Sequence, residues 1–464
     1  MNHFETFNPA TEEKLNTYKY MSEKEVLTKI EMLGTSFNTW KAMSISQRLA
    51  WLENFKNNLK ISIPELALLI TESMGKPLVE AEFELEKCIT QFDYYIKRGP
   101  ELIQTQSVSA HYPDMRINFL PMGVVFAIMP WNYPAWQFIR FAVGAWLAGN
   151  VILLKHSEIT TSVGLYLETL VAKTQGPAIL QTVVIPGEQS EGIFAHKLVR
   201  AITFTGSSKV GRKIGETSGR YLKKSVLELG GNDAFIIDTT ADLAKAAKLA
   251  VSGRLINNGQ SCISSKRFFV PRARATEFMK NVEREMESYT VGSPLDKKTN
   301  LGPLAHKRFF DECQSHIAYL KEISSIVTGA VPIESKKGYF VSPYFFLLDD
   351  KNMKDKESDA YRFFQTQEVF APVGMVGTYE NDTELWSLVN DSPYGLGGVW
   401  VGDTEKFKTE KLHLKFDVGM IAVNEILKSD ARVPFGGVKD SGYGRESGEF
   451  GIREFCTTQT LGIK

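Results

Sequence analysis

Short apolar runs alternate with longer helical stretches between residues 120 and 270. Four runs have the length and composition of strands buried on both faces, at 124–129, 151–155, 182–185 and 201–204. Helical patterns lie between them, as at 162–174 and 208–218. Strands joined by single helices predict βαβ units and a mostly parallel sheet.

A second series of the same kind follows. Residues 234–237 and 267–270 are apolar runs of strand length, and residues 241–256 are rich in alanine, which favours a helix. The chain is therefore predicted to be an α/β protein with two such units side by side.

Two further segments have a different pattern. Polar and apolar residues alternate over 107–110 and 116–119, around the turn signal Tyr112-Pro113-Asp114, which predicts an antiparallel hairpin. The last residues, 457–463, also alternate weakly. Both segments fit oligomerisation strands, and both fit edge strands of the main sheet equally well.

Composition excludes several classes of protein. The chain has 464 residues, 43% of them hydrophobic, which predicts two or three folded domains. Lys plus Arg number 54 and Asp plus Glu number 54, so no basic excess favours nucleic-acid binding. Prolines and an arginine interrupt the apolar stretch 123–149, so a membrane span is not expected.

The cysteines and the N-terminus predict a cytoplasmic enzyme. Cys88, Cys262, Cys313 and Cys456 are widely separated and form no CxxC pair, so neither a disulfide framework nor a metal site is expected. The first ten residues do not resemble a secretory signal.

Two segments contain candidate reactive groups. Cys262 follows a glycine turn near a helix end, where a thiol can act as a nucleophile, although most single cysteines are buried structural residues. Glu228 stands at an apolar strand end beside two glycines, where burial raises a carboxyl pKa for base chemistry. A structural Glu paired with a Lys is the alternative.

Two other segments contain candidate hydrogen-bond donors. Asn132, between Pro130 and Pro134 after a strand, is a rigid donor suited to an oxyanion, or else a plain turn residue. Gly206 and Ser207 precede a helix whose N–H groups can bind phosphate. No G-x-G-x-x-G fingerprint follows a strand, so the pattern permits a phosphate site without requiring one.

Together these segments resemble the signatures of the aldehyde dehydrogenase superfamily, in the order found in that family; they are 130–134, 227–232, 259–262, 368–372 and 434–446. The resemblance implies a Rossmann-like NAD-binding domain (1–104 and 122–230) and an α/β catalytic domain (231–425). It also implies oligomerisation strands (105–121 and 450–464) and a segment returning to the active site (426–449). A homodimer or homotetramer is expected.

The resemblance also implies the chemistry, an NAD(P)-dependent oxidation of an aldehyde to a carboxylic acid. Cys262 would attack the aldehyde to form a thiohemiacetal and then a thioester. The Asn132 amide and the Cys262 backbone N–H would hold the oxyanion. Glu228 would activate the water that hydrolyses the thioester.

Seven cofactor-binding residues follow from the same resemblance; they are Lys155, Glu158, Gly206, Ser207, Trp131, Glu368 and Phe370. Lys155 and Glu158 correspond to the pair that binds the adenosine ribose. A carboxylate at Glu158 would repel a 2′-phosphate, so NAD is favoured and NADP is possible. The chain departs from the common family pattern at His156, where Pro is usual, and at Ala371, where Gly is usual.

Within the superfamily the chain most resembles bacterial succinate-semialdehyde dehydrogenases. Arg140 matches a carboxylate-binding arginine, although a helix residue paired with a core carboxylate is an equal alternative. Ile256 stands at the position of the second arginine, and Arg432 is a candidate to replace it. Another aliphatic or ω-carboxy aldehyde, a CoA-acylating enzyme and a catalytically silent homologue are the alternatives.

Overall fold

A computed structural model describes residues 2–329, 331–333, 335 and 337–464. The four remaining positions fall within the predicted ranges 1–104 and 231–425 and lie outside the described residues. In the described part, no helix is both long enough and apolar enough to cross a membrane.

The described residues form sixteen α-helices: α1 (Glu23–Ala42), α2 (Ile45–Ile61), α3 (Ile63–Met74), α4 (Leu78–Leu102), α5 (Trp136–Ala148), α6 (Thr161–Lys173), α7 (Glu191–Ala195), α8 (Ser208–Arg220), α9 (Leu243–Leu255), α10 (Ala275–Met286), α11 (Lys307–Glu322), α12 (Asp350–Lys354), α13 (Asp359–Thr366), α14 (Asp382–Asn390), α15 (Thr404–Thr409) and α16 (Gly448–Glu454).

They also form twenty strands: β1 (His3–Phe7), β2 (Lys14–Lys19), β3 (Gln106–Ser107), β4 (Asp114–Pro121), β5 (Val124–Met129), β6 (Val151–His156), β7 (Leu180–Thr182), β8 (Val199–Thr205), β9 (Lys224–Glu228), β10 (Ala234–Ile237), β11 (Arg267–Pro271), β12 (Ser324–Gly329), β13 (Tyr344–Leu348), β14 (Val373–Tyr379), β15 (Tyr394–Gly395), β16 (Gly397–Val401), β17 (Met420–Val423), β18 (Val438–Lys439), β19 (Gly442–Tyr443) and β20 (Cys456–Ile463).

The first α/β unit is built on a six-stranded sheet in the order β19-β9-β8-β5-β6-β7. Strands β9, β8, β5, β6 and β7 are parallel neighbours, as predicted. β5 is buried at every position except Ile128, and α5 is buried along its whole length. The strand predicted at 182–185 is wrong except at Thr182: β7 runs from Leu180 to Thr182, and residues 183–185 lie beyond it because the pairing with β6 ends at Thr182.

The second α/β unit is built on a seven-stranded sheet in the order β12-β13-β14-β11-β10-β16-β17. All neighbours are parallel except β12 and β13. The strands predicted at 234–237 and 267–270 are β10 and β11, and the alanine-rich helix is α9. The two mainly parallel sheets confirm the predicted α/β fold class. The prediction was possible because strands buried in parallel sheets form continuous apolar runs.

The predicted hairpin and the C-terminal strand form a separate three-stranded sheet in the order β20-β4-β3. β20 pairs with β4 over its full length, from Cys456 opposite Pro121 to Ile463 opposite Asp114. The alternative that these segments are edge strands of the main sheet is wrong, because their backbone groups pair with one another instead.

Candidate active site

The carboxyl ends of four parallel strands meet at one edge of the six-stranded sheet. Asn132 follows β5, Lys155 lies at the end of β6, Ser207 follows β8, and Glu228 ends β9. Because β6, β5, β8 and β9 are consecutive neighbours, the sheet brings these side chains to a common edge. Such an edge is where open α/β sheets bind ligands.

The amino ends of three strands of the second sheet face this edge. Cys262 precedes β11, Glu368 precedes β14, and Gly231 precedes β10. The Gly231 N–H donates to Glu368 Oε1 at 3.0 Å. Asn132 Nδ2 donates to the Gln260 carbonyl at 3.1 Å, so the two α/β units meet directly at the site.

A sharp turn precedes Cys262. Asn257, Asn258 and Gly259 all adopt left-handed backbone conformations, with φ of 55°, 57° and 74°. A Cβ on Gly259 would lie 2.3 Å from the Ala371 carbonyl group, so only glycine fits there. The turn therefore presses the segment carrying Cys262 against the segment that follows Glu368.

Arg254 links the segment that carries Cys262 to the segment that follows Glu368. This fully buried guanidinium donates to the carbonyls of Gly259 (2.8 Å) and Val369 (2.9 Å), and also to that of Ala371. Its other terminal nitrogen donates to Ser264 Oγ at 2.7 Å. Because buried carbonyls need donors, Arg254 stabilises the conformation of the turn.

The thiol of Cys262 is partly buried among charged groups. Burial raises its pKa to about 11, while the Lys266 ammonium and the Arg140 guanidinium oppose that rise. Lys266 Nζ donates to the carbonyls of Ser261 (2.9 Å) and Cys262 itself (2.5 Å). The resting thiol is therefore protonated near neutral pH, and a base must accept its proton before it attacks a carbonyl.

Glu228 is buried, and neither carboxyl oxygen has a hydrogen-bond partner among the described residues. Burial first, and then the nearby Glu446 carboxylate, raise its pKa well above the usual range. The guanidinium groups of Arg140 and Arg445 act in the opposite direction. A carboxyl with two unpartnered oxygens and a raised pKa is suited to act as a general base.

The segment that carries Asn132 is held from both sides. Asn257 Nδ2 donates to the Asn132 carbonyl at 2.9 Å. His156 Nε2 donates to the Pro134 carbonyl at 2.9 Å, and Thr160 Oγ1 lies 2.9 Å from His156 Nδ1. Burial lowers the pKa of His156 to about 4, so its ring is neutral near pH 7, and its two hydrogen bonds fix its position.

The residues expected to hold a nicotinamide dinucleotide lie on both sides of the site, and their chemistry fits that group. Lys155 and the Glu158 carboxylate supply a donor and an acceptor for a vicinal diol, and Tyr20 holds Glu158 Oε1 at 2.6 Å. Ser207 caps α8, whose first N–H groups suit a pyrophosphate.

Aromatic rings and a second carboxylate occupy the other end of the expected cofactor site. The Trp131 ring lies 4.7 Å from the Phe309 ring and 5.7 Å from the Phe370 ring, between centroids. Gly230 leaves room for Glu368, because a Cβ there would lie 2.4 Å from Glu368 Oε2.

A cavity of about 400 Å³ reaches Cys262, and none of the residues expected to bind the dinucleotide lines it. Arg140 lines it, and its guanidinium pairs with the buried Glu446 carboxylate and stacks 4.0 Å from the Phe435 ring centroid. Arg140 Nη2 is buried and has no hydrogen-bond partner in the described part of the chain. Arg140 is thus a helix residue paired with a core carboxylate, and its own side chain also borders the cavity.

The two other positions considered for substrate binding differ from Arg140. Ile256 lines the cavity and supplies no charge. Arg432 is 75% exposed, and Asp430 holds it through a bidentate ion pair at 2.8 and 2.6 Å. Arg432 is not among the residues that line the cavity.

Comparison with known proteins identifies this arrangement. Residues 1–461 match the aldehyde dehydrogenase family. The chain belongs to that family. This aldehyde dehydrogenase is an NAD(P)-dependent oxidoreductase that oxidises an aldehyde, and the fold expected from the sequence is confirmed.

Its relatives share nearly its full length. A Synechocystis protein named probable succinate-semialdehyde dehydrogenase (NADP+) is 34% identical and covers 99% of each chain. Succinate-semialdehyde dehydrogenase (NADP+) 1 of Mycobacterium tuberculosis is 34% identical over 99% of each chain. The structure of the Streptococcus pyogenes succinic semialdehyde dehydrogenase in complex with NADP+ has a TM-score of 0.92, 29% identity and 99% coverage of each chain.

Sequence reasoning about the aldehyde dehydrogenase site missed several of its residues. Arg254 and Lys266 act on the Cys262 segment, Tyr20 holds Glu158, and Lys87 lines the cavity. The only local signal was position: Arg254 and Lys266 flank the nucleophile within eight residues of Cys262. Tyr20 and Lys87 lie far along the chain from their partners, with no motif around them.

Proposed function

We propose that this aldehyde dehydrogenase oxidises succinate semialdehyde to succinate with NAD as the preferred cofactor. The observation that carries the proposal is the buried Nη2 of Arg140, which lacks a partner and belongs to a side chain bordering the cavity at Cys262. A guanidinium nitrogen so positioned suits a carboxylate at the far end of a short aldehyde. The names of the relatives support the same substrate.

In the first half of the proposed reaction, the Cys262 thiol passes its proton through water to the Glu228 carboxylate, which releases it to solvent before the second half, and the sulfur attacks the aldehyde carbon. The C–S bond forms as the carbonyl electron pair moves to oxygen. Asn132 Nδ2 and the Cys262 N–H donate to that oxyanion, and Asn132 breaks its bond to the Gln260 carbonyl to do so. When bound, the nicotinamide would accept the hydride that this carbon loses as its oxyanion re-forms a carbonyl, and the product on Cys262 would be a thioester.

In the second half, Glu228 is the base. A water molecule hydrogen-bonded to its unpartnered oxygens attacks the thioester carbon and gives one proton to the carboxylate. The C–S bond breaks, the sulfur leaves as a thiolate, and the carboxylic acid is released. The positive charges of Arg140 and Arg445 oppose the rise in the Glu228 pKa and thereby favour the ionised carboxylate that this step needs.

The cofactor roles of the proposal follow the side chains described above. Lys155 and Glu158 would bind the adenosine ribose, Ser207 would contact the pyrophosphate, and Gly206 would lie near the nicotinamide. Glu368 would bind the nicotinamide ribose and Phe370 would pack against it, and Trp131, whose ring contacts the Phe370 ring, is the remaining cofactor residue. The Glu158 carboxylate, which Tyr20 holds at 2.6 Å, supports NAD over NADP because it would repel a 2′-phosphate.

Domain division and assembly are part of the same proposal. Ranges 1–104 and 122–230 form the NAD-binding domain, and 231–425 form the catalytic domain. The segment 426–449 returns to the site, and 105–121 with 450–464 form the interface of a homodimer or dimer-based homotetramer. Support comes from the separate β20-β4-β3 sheet. A monomer by light scattering would contradict the assembly.

The location is proposed to be cytoplasmic. None of the four cysteines forms a disulfide in the described structure, which suits a reducing compartment.

Steady-state kinetics test the proposed reaction. Wild-type protein should oxidise succinate semialdehyde with a higher kcat/KM than butanal, its analogue with a methyl group in place of the carboxylate. Cys262→Ala should abolish turnover while NAD affinity stays unchanged. Cys313→Ala, at a buried cysteine that does not line the cavity, is the matched control and should keep full activity.

Three results would contradict the proposal. Equal kcat/KM for the two aldehydes would remove succinate semialdehyde and leave another aliphatic or ω-carboxy aldehyde as substrate. A requirement for CoA would replace hydrolysis by acyl transfer, which the position of Glu228 disfavours. Cofactor binding without turnover of any aldehyde would indicate a silent homologue.

A further inference from the structure

A second cation lies beside Arg140 in the cavity wall. Helices α4 and α5 pack together, and Gln91 Nε2 of α4 donates to the Arg140 carbonyl of α5 at 2.6 Å. Lys87, one turn before Gln91, has its Nζ 4.4 Å from the centroid of the Trp136 ring, one turn before Arg140. Lys87 and Arg140 therefore occupy one wall, and both line the cavity.

The Lys87 ammonium has no counter-charge in contact. Its Nζ donates to Ser429 Oγ at 2.5 Å, and no salt bridge joins it to a carboxylate of the described residues. Burial, and then the Arg140 charge, lower its pKa to about 8. Charged groups removed from water are normally paired with an anion; Arg140 pairs with Glu446 through Nε while its Nη2 has no partner, and Lys87 forms no salt bridge among the described residues, so both leave a donor available to an anionic ligand.

The part of the cavity lining around Ile256 does not favour an anion. Ile256 borders the cavity there without any charge, and the neighbouring Glu80 carboxylate accepts the Asn257 N–H at 2.9 Å. Burial raises the pKa of Glu80 to about 7, so the group carries partial negative charge near neutral pH. A carboxylate ligand is therefore disfavoured beside Ile256 and favoured beside Arg140.

We propose that Lys87 is the second cation that binds the distal carboxylate of the substrate, together with Arg140 Nη2 and the Ser429 hydroxyl. The inference rests on the proposed oxidation of an ω-carboxy aldehyde. It places on α4 the second positive charge for the carboxylate, because position 256 holds an uncharged isoleucine. Lys87 thus determines specificity for the carboxylate and takes no part in the chemistry at Cys262.

The test compares two aldehydes of equal length, succinate semialdehyde and butanal. Lys87→Met keeps the side-chain volume and removes the charge, so it should lower kcat/KM for succinate semialdehyde about 10- to 100-fold, mainly by raising KM. Its kcat/KM for butanal should stay within about twofold, because no carboxylate contact is lost there. Lys87→Arg keeps the charge and should retain most of the discrimination.

Lys428→Met is the matched control. Lys428 also borders the cavity, but it is 62% exposed and pairs with Glu425 at 3.4 Å. This variant should behave as wild type with both aldehydes. If Lys87→Met does not fold, Lys87→Gln and the inhibition of butanal oxidation by succinate in that variant provide the same comparison.

The possible failures are distinguishable. If the wild type prefers succinate semialdehyde but Lys87→Met retains that preference, the role of Lys87 is wrong and the proposed function stands. If Lys87→Met loses activity equally with both aldehydes, Lys87 is structural and the inference fails. If the wild type itself does not discriminate, the proposed function fails before the variant is considered.

Discussion

Replacing Glu158 by Ser should convert the cofactor preference of this aldehyde dehydrogenase from NAD to NADP. Glu158 is exposed just beyond the end of β6, and its Oε1 accepts a hydrogen bond from Tyr20 at 2.6 Å. Tyr20 thereby holds the carboxylate in place, and burial and Glu158 raise the pKa of Tyr20 to about 12, so the phenol remains a donor. The prediction runs against the NADP+ in the names of the relatives.

The magnitude follows from Coulomb's law. A carboxylate about 4 Å from one unit of phosphate charge costs about 1 kcal/mol in water and about 4 kcal/mol near a protein surface. The wild type should therefore favour NAD about 5- to 1000-fold in kcat/KM. Glu158→Ser removes this repulsion and also the acceptor for the ribose hydroxyls, which should lower kcat/KM for NAD about 10-fold.

The assay is kcat/KM for NAD and for NADP at a fixed aldehyde concentration, at low and at high salt. Glu65→Ser is a matched control, since Tyr166 donates to Glu65 Oε2 on α3 at the same 2.6 Å and Glu65 is not among the residues expected to bind the cofactor. Only Glu158→Ser should change the NAD to NADP ratio. A wild-type preference for NADP, or an unchanged ratio in Glu158→Ser, would refute the assignment of Glu158.

Three other predictions concern the segments around the nucleophile. Glu228→Gln should release one equivalent of NADH in a rapid burst and then stall, and a normal steady-state rate would exclude Glu228 as the base. Alkylation of Cys262 in the free enzyme should accelerate about tenfold per pH unit from pH 7 to 10, because its pKa is raised to about 11; a plateau below pH 9 would contradict that value. Arg254→Met should lower the free energy of unfolding by about 3–5 kcal/mol in denaturant titrations, because three buried carbonyls lose their donor.

Strand positions were predictable because burial in a parallel sheet leaves a continuous apolar run. The runs at 124–129, 151–155 and 201–204 coincide with β5, β6 and β8. The edge segments were not assigned so well, because alternation indicates a strand with one exposed face but does not identify its partner. Only the structure showed that β20 pairs with β4.

The cations of the site show why its charges could not be assigned in the same way. Arg432 stands two residues before the 434–446 signature, but it is held by Asp430, two residues before it in the chain. Lys87 contacts Ser429, 342 residues away, and Arg140 contacts Glu446, 306 residues away. Whether a cation is available to a ligand depends on which anions the fold brings near it. An acid two residues away can be read from the sequence, whereas the lack of a salt bridge from Lys87 to any carboxylate of the described residues becomes visible only when α4, α5 and the 426–449 segment are packed together.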